Sequence, residues 1–154
     1  MPPNFWPERL RLDEFRRSLS KQERAEFERR RRRRTHTRRA LPAVLLEWAG
    51  YVEVIVSELD EEFSLDPHEY LHALTIRDAV KEFASELPTG LEAKVKAWLA
   101  PVDERFRGVT DTEDEFLIAS LWASCEAAPP PEAWWWKRLP VRGQLHDDFR
   151  SGAG

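Results

Sequence analysis

Leu41-Pro-Ala-Val-Leu-Leu-Glu-Trp48-Ala-Gly-Tyr-Val-Glu-Val-Ile-Val-Ser-Glu-Leu59 is the stretch on which the fold class turns. Leu41, Leu45, Trp48, Val52, Ile55 and Leu59 recur at alternating spacings of three and four, the repeat of one buried helical face. Pro42 suits a first helical turn, where a missing amide proton costs nothing. The β-branched run Val52, Val54, Ile55, Val56 argues for a strand instead, but the apolar residues extend too far upstream in helical phase. The reading is helix.

Downstream, Asp66-Pro67-His68-Glu69 supplies an N-cap, a proline at the first position and an acid at the third, so a helix starts at Pro67. Its phase then breaks. Continuing the stripe of Leu71 and Leu74 into Ile76, Val80, Phe83 and Leu87 would bury Asp78 and Lys81, so Thr75-Ile-Arg-Asp78 is read as the cap of a fresh helix. Thr89-Gly-Leu-Glu92 opens the next, with Leu91, Val95, Trp98, Val102 and Phe106 inward. Pro101 should kink or divide it, and Gly108 can stop it after Arg105 and Arg107 have complemented its dipole. Thr112-Glu-Asp-Glu115 opens a last helix with Phe116, Ala119, Trp122 and Cys125 inward, ended by Pro129 to Pro131.

Upstream, Pro7, Leu12, Phe15 and Leu19 give a short helix with a thin apolar stripe, and Ser20-Lys-Gln-Glu23 reads as a capping box for another. Phe27 is the second helix's single large apolar residue; its Glu26/Arg30 and Glu28/Arg32 pairs would add about 0.2–0.5 kcal/mol each. The expected architecture is all-α: a compact multi-helix bundle over residues 41–128, a basic, largely solvated helical arm over 1–40, and an irregular Pro/Trp-rich tail over 129–154.

Charge divides the chain at the same place. Residues 1–40 carry 14 Arg and Lys against 6 acids, whereas the remainder carries 10 against 22. With 154 residues one self-sufficient core is expected. A single cysteine, Cys125, allows neither an intramolecular disulfide nor a thiolate zinc cluster within one chain. No secretory h-region or apolar stretch of membrane-spanning length is found, and the six acids of the arm do not suit a mitochondrial transit peptide. A soluble, cytoplasmic protein is expected.

Three constellations could carry function. His68-Glu69-Tyr-Leu-His72 is a literal H-E-x-x-H: two imidazoles one turn apart to chelate zinc, and Glu69 as general base for a metal-bound water. Asp78 stands where the extended motif places a third ligand, with Glu92 as the alternative, so a minimal zinc-dependent metallohydrolase is the enzymatic reading. Thr75 occupies the position of that motif's glycine. Against it stands the plainer assignment of Glu69 and Asp78 to helix caps, with no cofactor. The second constellation is Arg29, Arg30, Arg31, Arg32, Arg33 and Arg34, extended by Arg38 and Arg39. It can neutralise phosphates or meet an acidic protein, but it lacks the interleaved aromatics of base-stacking surfaces. The third is Trp134, Trp135 and Trp136 beside Lys137 and Arg138, which can anchor a partner, sit at a membrane interface or clamp the helical core.

Trp48, Glu69-Tyr70, Leu74-Thr-Ile-Arg77-Asp78 and Val102-Asp103-Glu-Arg105-Phe106 together resemble a pattern in small bacterial all-helical proteins for which no activity is known. That resemblance spans about residues 45–107. It implies a polar network between helices through Arg77, Asp103 and Arg105, and no catalysis. The functional expectation is a non-enzymatic bacterial accessory protein, antitoxin-like or immunity-like, that binds another protein and carries an arm for an acidic partner or nucleic acid.

Overall fold

A computed structural model describes residues 6–29, 40–59, 65–112 and 133–152. Their elements are helices α1 (Trp6–Ser18), α2 (Lys21–Arg29), α3 (Leu41–Glu58), α4 (Pro67–Ser85) and α5 (Thr89–Val109), strand β1 (Thr110–Thr112), a 3₁₀ turn (Trp134–Lys137), strand β2 (Arg138–Pro140) and helix α6 (Gln144–Gly152). Among the described residues the fold is all-α apart from one two-stranded antiparallel sheet, in which Thr110 faces Pro140 and Thr112 faces Arg138.

Side-chain caps set the starts of α2 and α4, whereas α3 and α5 begin without one, the latter after Pro88. Ser20 Oγ accepts from the Glu23 amide and Glu23 Oε1 accepts from the Ser20 amide, a reciprocal capping box at the head of α2. At the head of α4 the Asp66 carboxylate accepts from the Glu69 amide at 2.8 Å. α3 is helical through its β-branched run, with Leu41, Leu45, Trp48, Val52 and Ile55 all buried. Tertiary burial of that stripe outweighs the local preference for a strand.

Two expected interruptions are absent. α4 runs unbroken from Pro67 to Ser85, and Asp78 and Lys81 are half-buried within it. The phase does not break there, because α4 is covered on several sides: Tyr70, Leu71, Ala73, Leu74, Ile76, Ala79, Val80, Phe83 and Ala84 are all buried. A helix buried around much of its circumference has no single stripe to follow. Thr75 is not a cap; its hydroxyl donates to the His72 carbonyl. α5 likewise continues through Pro101. Pro101 and Ala97 both face solvent, so the carbonyl deprived of its amide partner can be hydrated. Nor does Gly108 end α5. The chain leaves the helix at Thr110, in extended conformation, whose hydroxyl donates to the Phe106 carbonyl.

Both flanking regions join the core. Leu12 and Leu19 of the α1 region and Phe27 of α2 are buried in the same cluster as the α3, α4 and α5 stripes. Arg11 reinforces this attachment by donating to the Trp98 carbonyl at 3.1 Å, with its guanidinium 5.0 Å from the Trp98 ring. Residues 21–26 and Glu28 are exposed or half-exposed, so Phe27 is the apolar anchor of α2. Glu28 pairs with Arg16 at 3.0 Å, while Arg30 and Arg32, read as the helical partners of Glu26 and Glu28, lie outside the described residues. The expected Thr112–Cys125 helix also falls outside them.

The tail is not irregular where it is described. Gly143, with φ of 99°, turns the chain out of β2 into α6, a backbone state that side-chain-bearing residues rarely adopt. Leu145 and Phe149, four apart, then pack α6 into the core, with Phe149 edge-on to Tyr70 at 5.5 Å.

Candidate functional site

The most concentrated polar chemistry lies where α3, α4, α5 and the tail meet. Asp103, buried on α5, accepts the Trp48 indole N–H at 3.0 Å from α3 and the Arg77 guanidinium from α4, Nε on Oδ1 at 3.0 Å and Nη2 on Oδ2 at 2.9 Å. Bidentate pairing fixes the relative placement of three helices at one carboxylate. The other face of the Arg77 guanidinium lies under the Trp135 ring, 4.3 Å from its centroid. Next along α4, Asp78 accepts Trp135 Nε1 at 2.8 Å and Trp136 Nε1 at 2.9 and 3.1 Å. Two neighbouring residues of one helix thus serve two purposes: Arg77 joins helix to helix, and Asp78 joins helix to tail.

A second set of bonds closes the tail over the end of α5. Arg138 donates through Nε to Thr110 Oγ1 and through Nη2 to the carbonyls of Thr110 and Arg107, the latter also accepting the Thr110 amide at the end of α5. The Tyr70 hydroxyl donates in turn to the Arg138 carbonyl. Burial pushes the Tyr70 phenol far above its ordinary range, the nearby Arg138 cation opposing that only in part.

The residues of the H-E-x-x-H motif are not gathered into a site. His68 and Glu69 are exposed in the first turn of α4, where the Glu69 amide is engaged by the Asp66 cap. His72 is also exposed; its Nε2 stands 3.8 Å from Glu47, and its ring meets Tyr51 edge-on at 5.8 Å. Asp78 is held by two indoles, and the alternative ligand Glu92 pairs with Lys96 at 2.6 Å. Among the described residues no group of three or more His, Cys, Asp or Glu side chains is placed to hold a metal ion. The Asp78 assignment as a cap is corrected with it: its acceptors serve side chains from the tail.

The tryptophan triplet is largely internal. Trp135 and Trp136 are buried, which removes them as a docking surface, and their indole N–H groups find the acceptor that burial demands. Trp134 is half-buried between Phe106, Trp135 and the Arg107 guanidinium, which stacks 3.8 Å from its ring centroid. Arg105, expected in a polar network between helices, does join α5 to α3, through Glu53 on the exposed side and apart from the Arg77–Asp103 cluster, an arrangement that raises its pKa through hydrogen bonding.

Arg29 is the last residue of α2; Arg30 to Arg34, Arg38 and Arg39 lie outside the described residues. Their flanks are well placed, since Phe27 and Leu41 are both fully buried in the one core. Helices α1 and α2 absorb little of the arm's charge: residues 6–29 hold seven basic and six acidic side chains, several already paired, as in Lys94–Glu23 at 2.8 Å and Arg16–Glu28. The excess is confined to residues 30–39, with seven arginines and no acid.

No helix among the described residues is long and apolar enough to cross a membrane. No protein-family model matches the chain, and no curated protein or solved structure is significantly similar to it.

Proposed function

We propose that the chain is a non-enzymatic bacterial accessory protein, antitoxin-like or immunity-like, whose arginine-rich segment engages an acidic partner. The observation that supports this reading is the concentration of seven arginines without a counter-acid in residues 30–39, joined on each side to a buried anchor, Phe27 and Leu41. The sequence of residues 30–39 holds no apolar side chain, so packing does not explain its composition. Its charge suits carboxylates or phosphates, which guanidinium groups bind bidentately.

The test is charge removal at constant fold. Replacing Arg30 to Arg33 with Ala should leave helicity and cooperative unfolding intact. It should also abolish retention on an acidic matrix or binding to an unrelated-sequence duplex at about 50 mM salt, where electrostatic contacts are strongest. If the intact chain binds neither at that salt, the reading is wrong.

A further inference from the structure

We draw no further inference here: the strongest candidate, the buried side-chain cluster in which Arg77 Nη1 finds no hydrogen-bond partner beside the Trp135 ring, belongs to the network already described and carries no ligand chemistry of its own.

Discussion

Arg77 and Asp103, 26 residues apart, form a buried two-point ion pair that pins α4 to α5. Such a pair contributes little against a well-packed apolar substitute, yet removing one partner strands a charge in the interior. Asp103→Ala should therefore lower stability by about 3–5 kcal/mol in chemical denaturation. The double variant Arg77→Met, Asp103→Leu should lose less than either single change. Additive losses in the double variant would show that the pair is not energetically coupled.

Asp78→Ala leaves the indoles of Trp135 and Trp136 without their acceptor, at about 1–3 kcal/mol for each donor that stays dry. Asp78→Asn keeps Oδ1, which receives a bond from both rings, and should cost clearly less. Tryptophan emission in Asp78→Ala should move to the red as water reaches the tail; unchanged emission and stability in both variants would contradict the arrangement.

α6 is held by Leu145 and Phe149, so Phe149→Ala should cost about 3–5 kcal/mol, as for a core aromatic. Removal of residues 133–154 should abolish cooperative unfolding, because Tyr70, Asp78 and the end of α5 lose their cover together. A truncated chain that melts as sharply as the intact one would mean that the tail is an accessory to an independent bundle.

The Tyr70 phenol titrates far higher when folded than when unfolded, so the folded state holds this proton more tightly. The associated stability is fully present below the unfolded phenol's pKa of about 10 and is lost as pH rises above it. Ultraviolet titration should show Tyr70 ionising only as the fold opens, and Tyr70→Phe should remove that component of alkaline sensitivity. A Tyr70 that ionises reversibly near pH 10 in folded protein would contradict its burial.

What could be read from the sequence follows the range of the forces involved. The Ser20/Glu23 box and the Asp66-Pro67-x-Glu69 start depend on bonds spanning three residues, and both stand in the structure as the spacing indicates. Asp78 was misleading for the opposite reason: its partners lie 57 and 58 residues away, so nothing local distinguishes an acceptor for buried indoles from a cap. The three tryptophans did carry half of that signal, since buried indoles need acceptors, but not which carboxylate would serve. β1 and β2 contribute three residues each, too few for an alternation to register, and their pairing joins positions 26 to 30 apart. For α6 the clue was present in Gly143 followed by Leu145 and Phe149, a turn residue ahead of an i,i+4 apolar pair.

The closure of the tail over α4 also bears on how the protein is made. A ribosome adding about 5–20 residues per second delivers the segments of a chain in order. Asp78 must therefore wait for residues 135 and 136, Tyr70 for residue 138, and the ring of Tyr70 for Phe149. Until those residues emerge, α4 lacks the tail contacts that Tyr70 and Asp78 make in the folded protein. Residues 135–149 thus complete an interior begun by α4, and a chain interrupted before residue 133 would carry α1 to α5 without the contacts that cover Tyr70 and Asp78.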